Sequence, residues 1–366
     1  MSASPHCDVV VIGGGLVGAC LAEELAGSGA TVIVLDAGAA PGHATPLAAG
    51  VAVPSLRYLG DEAFYGWLLA ARAALDDDLA RLEPEHGRFS LARPVLRLLR
   101  EVDLAALAGA ERSDAAGEPA TAQELARLAP GLALPADRTP YLARDGLSVD
   151  GRAYLHAVRA AALRAGVGWR QDRTVTAIED GAGRVDVRCC DGAVIGADRA
   201  VVTAGAWTGR LVGTAVVPQR GQLVLLDAPA PQLGAIVSAR LYLAPLPDGR
   251  LLIGATEEEA GFDDRCTAGS VAGVLAFGLR LFPQLATATV LETRAGLRPV
   301  SASGRPVVGR VPGRERVYVA SGHAGYGLVS ARATARGMAA GLSSGHWDAL
   351  PEDFCPAGAV AAGTGV

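Results

Sequence analysis

Near its start the chain carries four consecutive apolar residues, Val9 to Ile12, three of them valine, bounded by Asp8 and by glycines. A run without polar alternation predicts a strand buried on both faces, as in a parallel sheet. The apolar positions then shift to helical spacing, with Ala22, Leu25 and Ala26 on the core side of a helix that Gly29 ends. "TVIVLD" predicts a second strand with Asp36 at its tip. A long amphipathic helix is expected from Glu62 to about Arg81, and another from the plausible N-cap Asp150, with Leu155, Val158, Ala162 and Leu163 on one face. Residues 82–145 alternate short apolar runs with charged, Pro-containing turns.

The second half reads differently. "DRAVVTAGAWT" predicts a strand that rejoins the first sheet. Between Val216 and Val300 the pattern is mainly β, with "RGQLVLLD", "RLYLAPL" and "RLLIGAT" as strands and "VAGVLAFGLRLFP" as an interrupting helix. "RVYVASGHAGYGLVSARATARGMAAGL" predicts strand, glycine loop and helix. Residues 351–366 are expected to be a disordered tail.

Gly13, Gly15 and Gly18 form GxGxxG at the first strand-to-helix turn. Gly13 permits the turn, Gly15 admits a pyrophosphate to the backbone, and Gly18 lets helix and strand pack closely. Asp36 is placed to hydrogen-bond a ribose hydroxyl. With strand, helix and acid all in context, a dinucleotide site is expected. One motif at the N-terminus, with no second copy, favours a single tightly held FAD over NAD. The fold class is therefore α/β (an α+β composite), a Rossmann-like FAD-binding domain with an interleaved, mainly antiparallel β-sheet substrate domain. The first takes residues 1–80, 146–212 and 303–350; the second takes 81–145 and 213–302.

Composition narrows the function. Of 366 residues, 50% are hydrophobic and 19% charged, and the net charge of −5 is spread along the chain, which argues against nucleic acid. No apolar run approaches the roughly 20 residues of a membrane span, and "MSASPHC" lacks the features of a signal peptide. Cytoplasm is the expected setting. Cys7, Cys20, Cys189, Cys190, Cys266 and Cys355 form no CxxC pair, so no metal is expected. There is no lysine, which removes Schiff-base chemistry, and no asparagine, which removes N-glycosylation.

The chain resembles the FAD-dependent D-amino-acid oxidase and glycine oxidase family over about residues 7–345. The resemblance is carried by the N-terminal stretch, "TPLAAG" (45–50), "TAGAW" (203–207), "RGQ" (220–222), "GLRP" (296–299) followed by "SGRPVVG", and "GHAGYGL" (322–328). It implies oxidation of a C–N bond beside a carboxylate in glycine, sarcosine or a D-amino acid, with O2 or another acceptor taking the electrons. In the family, the arginine at Arg298 grips that carboxylate two-pronged, which suits a planar guanidinium, and a tyrosine matching Tyr242 reaches it as well. An internal ion pair of Arg298 with Glu292 or Asp227 is the alternative. His323 is a further candidate for catalysis, though its motif suggests a flavin-loop role.

The implied non-covalent FAD contacts start with Gly13, Gly15, Leu16, Val17, Gly18, Asp36 and Ala37. They continue through His43, Ala44, Thr45, Ala48, Ala49, Gly50, Val175, Ala204, Gly205 and Trp207. Arg298, Gly322, His323, Ala324, Gly325, Tyr326, Gly327 and Leu328 complete the set. The helix after "GHAGYGL" is expected to aim its N-terminus at the flavin. Asp36, Pro46, Ser238 and Gly325 depart from the family pattern and leave the substrate open. Three other readings stay open: a dehydrogenase with another acceptor, a tailoring oxidase acting on a larger amine or N–N-bonded acid, and a non-catalytic nucleotide-binding module. Homo-oligomerisation is likewise open.

Overall fold

The computed structural model describes residues 6–38, 42–110, 113–181, 183–227 and 233–356. In the first part of the chain the strands are β1 (His6–Ile12), β2 (Val32–Leu35), β3 (Ser90–Ala92), β4 (Val95–Leu99), β5 (Glu118–Pro119), β6 (Thr139–Ala143) and β7 (Leu147–Val149). Next come β8 (Gly168–Arg170), β9 (Val175–Asp180), β10 (Val185–Cys189), β11 (Val194–Val202) and β12 (Val216–Asp227). The last are β13 (Ile236–Ser238), β14 (Tyr242–Pro245), β15 (Leu251–Gly254), β16 (Thr289–Ser301), β17 (Val307–Arg310) and β18 (Val317–Ser321). The helices are α1 (Leu16–Gly27), α2 (Glu62–His86), α3 (Glu101–Ala108), α4 (Ala122–Leu128), α5 (Gly151–Arg164), α6 (Thr208–Val212), α7 (Ala268–Leu281) and α8 (Gly327–Ser344).

The first sheet runs β17-β18-β11-β1-β2-β8, with the β9–β10 hairpin attached to β11. From β18 to β8 all pairings are parallel. β1 is central, and Val10 and Val11 are fully buried, as an apolar run covered on both faces requires. α1, α2, α5 and α8 pack together on one face with Leu21, Leu68, Tyr154 and Met338 in the core between them. The second sheet runs β16-β12-β15-β14-β13-β4-β6-β5 and is antiparallel except between β13 and β4. α7 covers one of its faces through Val274, Phe277 and Leu281, against Leu96, Val237, Leu243 and Ile253. The strict alternation of Leu96, Arg97 and Leu98 along β4 therefore turns Arg97 to the other face.

Three local readings change. α2 runs five residues past Arg81 to His86, and Glu83 Oε1 accepts the Phe89 and Ser90 N–H groups at its exit. Leu163, expected on the inner face of α5, is 47% exposed, because the helix turns its Ala161–Ala162 side inward. Residues 351–356 do not begin a disordered tail: Glu352–Phe354 form a 3-10 turn, and Phe354 is buried against Phe64 and Trp67. The rest of the expected tail, 357–366, lies outside the described residues.

Candidate active site

The C-terminal ends of β1, β2, β11 and β18 open on one cavity of about 1610 Å³. Ligand crevices of open parallel sheets form at such strand ends. Single small-molecule sites usually hold about 300–1000 Å³, so this one has room for a large ligand and a second, smaller one.

At the end of β1 the chain turns through Gly13 at φ +109°, where a Cβ would lie 2.5 Å from Thr203 O. α1 starts with Gly15 as N-cap, no side-chain cap and no acidic residue in its first turn. Leu16 N–H donates to Thr45 Oγ1 at 3.3 Å. The helix otherwise leaves first-turn donors and the positive end of its dipole at the cavity, a ready anion site. The buried Asp36 carboxylate accepts from Gly14 N at 2.6 Å, Gly38 N at 2.8 Å and Gln171 Nε2 at 3.3 Å. A carboxylate has about four acceptor positions, so one remains for a ribose hydroxyl. Beside it, Trp169 Nε1 is buried without a hydrogen-bond partner, and Arg159 covers the indole at 4.7 Å. Uncapped helix, spare acceptor and orphaned indole donor together fit a dinucleotide.

The opposite wall is the face of the second sheet turned away from α7. Arg298, on β16, lies opposite Gln219 of β12. Its Nη1 donates to Thr256 O at 2.8 Å, and it has no ion pair among the described residues. Glu292, one of its two expected alternative partners, pairs instead with Arg294 at 2.7 Å, and Asp227, the other, forms no ion pair among the described residues. Burial lowers the Arg298 pKa from its ordinary value, partly offset by Glu257. Arg298 is thus a largely desolvated cation at the cavity wall with no ion pair among the described residues.

The "RGQ" segment explains what holds Thr256 in place. Arg220 donates to Glu258 Oε2 from Nε at 3.0 Å and Nη2 at 2.7 Å. Gln222 Nε2, Thr256 Oγ1 and Ser270 Oγ donate to the same carboxylate. Burial opposes ionisation of Glu258, but the bonds from Thr256, Arg220 and Ser270 outweigh it and hold its pKa below the usual range. This polar knot fixes the loop whose carbonyl orients Arg298. Glu258 stands in a charged "EEEA" run, where sequence gives no sign of an anchor.

Tyr242, on β14, borders the same cavity. Glu257, paired with Arg57 at 3.4 Å, and Arg97 also line it and were not expected from sequence. After β18 the "GHAGYGL" loop brings Ala324 (φ +43°), Gly325 and Tyr326 to the cavity, followed by the uncapped start of α8. His323 is 2% exposed, and its Nε2 pairs with Thr334 Oγ1 at 3.0 Å. Burial pushes its pKa down to about 4. A neutral imidazole tied into α8 holds the loop and is poorly placed for proton transfer.

Of the residues named from sequence, all but two border this cavity. Gly18 and Gly322 stand behind it. A Cβ on Gly18 would lie 2.0 Å from Gly13 O, and one on Gly322 would lie 3.2 Å from Ser301 Cβ, so both serve close packing. Among the described residues no metal-binding cluster occurs and no helix is long and apolar enough to cross a membrane.

A parallel sheet with an uncapped glycine turn, an acid at the next strand end and a facing sheet that presents an unpaired guanidinium define a dinucleotide-dependent oxidoreductase. The chain belongs to the FAD dependent oxidoreductase family designated DAO, which matches residues 8–340. It is 31% identical over 352 residues to glycine oxidase of Pseudomonas putida, spanning 89% of this chain and 92% of that one. To glycine oxidase of Pseudomonas aeruginosa it is 31% identical over 379 residues, spanning 96% and 98%. Among solved structures it is similar to iminodiacetate oxidase from Chelativorans sp. BNC1, with 30% identity, TM-score 0.84 and coverage of 95% and 98%. It is also similar to glycine oxidase from Geobacillus kaustophilus, with 26% identity, TM-score 0.87 and coverage of 99% and 100%.

Proposed function

We propose that the chain oxidises the C–N bond of a small amino acid whose carboxylate is bound by Arg298. The observation that carries this reading is the unpaired, desolvated Arg298 guanidinium beside the dinucleotide crevice. FAD supplies the two-electron oxidising group. Asp36, the α1 N-terminus and the 322–328 loop would hold it, and the α8 N-terminus would place partial positive charge beside it. No cysteine borders the cavity, which supports non-covalent retention.

Arg298 would orient the substrate through a forked carboxylate bond, with Tyr242 as a second donor. His323, neutral and engaged with Thr334, leaves the amine to react in its unprotonated form, and the imine product hydrolyses in water. O2 as acceptor, with release of H2O2, and a cytoplasmic setting belong to this proposal.

The test is bleaching of the bound flavin by glycine, sarcosine and D-amino acids under anaerobic conditions, then peroxide release in air. Arg298→Ala should keep its flavin and melting temperature yet lose about 10²–10⁴ in kcat/KM, since two charge-assisted bonds are worth about 1.5–3 kcal/mol each. Arg298→Lys should recover part of that. Loss of flavin and stability with KM unchanged would make Arg298 structural and sink the assignment.

A further inference from the structure

The pairing register of the second sheet places one more cation in the cavity. On β4, Arg97 lies opposite Ser238 of β13, and Ser238 lies opposite Tyr242 of β14. Tyr242 faces Gly254 of β15, which faces Leu223 of β12. Paired residues project to one side of a sheet, so Arg97, Ser238, Tyr242 and Leu223 share a face. Two residues along β12 the same face reaches Gly221, opposite Gly296, and two further along β16 it reaches Arg298. Arg97, Ser238, Tyr242, Gly221 and Arg298 all border the cavity.

Arg97 is 7% exposed, and its Nε has no hydrogen-bond partner. Among the described residues it forms no ion pair, though the fields of Tyr242, Tyr65 and Asp145 favour its charge. Leaving a guanidinium buried and unpaired is costly, and an arginine cannot shed its charge to escape that cost. Arg298 already serves one carboxylate in the reading above. Arg57, whose charge also acts on Tyr242, has Glu257. Arg240 also borders the cavity but is exposed to solvent. Among the described residues of this face, Arg97 is a buried cation without an ion pair, and its natural complement is a second anion on the molecule Arg298 holds.

We propose that Arg97 binds a second carboxylate of the substrate, so that the cavity takes an amino acid bearing two carboxylates. The inference rests on the reading of Arg298 as the site of the first carboxylate. It separates Arg97, a specificity residue, from the oxidation itself, which needs only the first carboxylate and the amine.

The experiment uses the flavin-loaded protein and non-oxidisable acids. Diglycolate, succinate and glutarate are titrated against methoxyacetate and acetate, with the flavin absorbance reporting binding. Sarcosine and iminodiacetate, then D-alanine and D-aspartate, give the matching kcat/KM ratios. The best dicarboxylate should bind about tenfold or more tighter than its monocarboxylate counterpart. Arg97→Gln should collapse that ratio toward one, and Arg97→Lys should keep part of it. A purely structural arginine would weaken mono- and dicarboxylates alike and leave the ratio intact. That result, or a wild-type protein without preference, overturns the inference. If sarcosine or D-alanine still bleaches the flavin in that case, only Arg97's role falls. If no acid perturbs the flavin and no amino acid bleaches it, the reading of Arg298 falls too, and this inference with it.

Discussion

A Cβ at position 221 would lie 2.5 to 2.6 Å from three guanidinium atoms of Arg298. Gly221 is therefore the floor on which Arg298 rests, and its missing side chain sets where the substrate carboxylate can sit. Gly221→Ala should push the guanidinium aside without touching the dinucleotide crevice. A misplacement of about 1 Å can cost on the order of 10²-fold, so kcat/KM should fall by about tenfold or more while flavin content holds. Steady-state kinetics beside an absorbance ratio check this; unchanged kinetics would remove the floor role. "RGQ" and "GLRP" were both legible in the sequence as motifs. Their contact was not, because Gly221 meets Arg298 only through the β12–β16 register. Arg97 was hidden for the same reason: in "PVLRLLR" it reads as a solvent-facing strand residue until its neighbours are known.

At the scale of elements, α8 joins the cavity to the helical layer through His323 and Thr334. The His323 pKa of about 4 lies below the ordinary value of 6.5 because burial disfavours the charged ring. Unfolded chain thus takes up a proton at a higher pH than folded chain does. The stability linked to this residue is complete above about pH 6.5 and is lost as pH falls toward 4. The loss amounts to about 3 kcal/mol over that window. His323→Gln, which keeps a hydrogen-bonding group but cannot titrate, should show a shallower decline. Urea melts of both proteins at several pH values across it provide the measurement, and parallel curves would refute the assignment. The β1-α1-β2 unit and the final strand-loop-helix could be read from the sequence because their patterns are local and regular. The order of strands in the second sheet could not. Its parallel β13–β4 contact joins segments far apart in sequence, and nothing in either strand names the other.

Across the whole molecule, one buried charge cluster ties four helices. Arg332 on α8, 2% exposed, bonds Asp78 of α2 at 3.0 Å and Glu23 and Glu24 of α1 at 2.6 and 2.9 Å. Tyr154 of α5 donates to Asp78 at 2.6 Å. Arg332→Ala would leave buried Asp78 and Glu23 with only the half-exposed Arg81 as a cation, and Glu24 with Arg336 at 3.6 Å, costing about 3 kcal/mol. The melting temperature should drop by several degrees in both flavin-loaded and flavin-free protein. A drop confined to the loaded form would show the cluster to be part of the cofactor site instead.

The strand order of the first sheet has a further consequence for how the protein is made. β1 leaves the ribosome before its partners: its neighbour β11 follows nearly two hundred residues later, and β18 closes that side of the sheet only at Val317–Ser321. At about 5–20 residues per second, the nascent chain carries an open sheet edge for tens of seconds. The loop at 322–328, which completes the crevice, is translated later still. Cofactor capture thus waits for the last parts of the crevice to be made, and until then the exposed apolar edge of β1 depends on chaperones or on early pairing with β2 for protection.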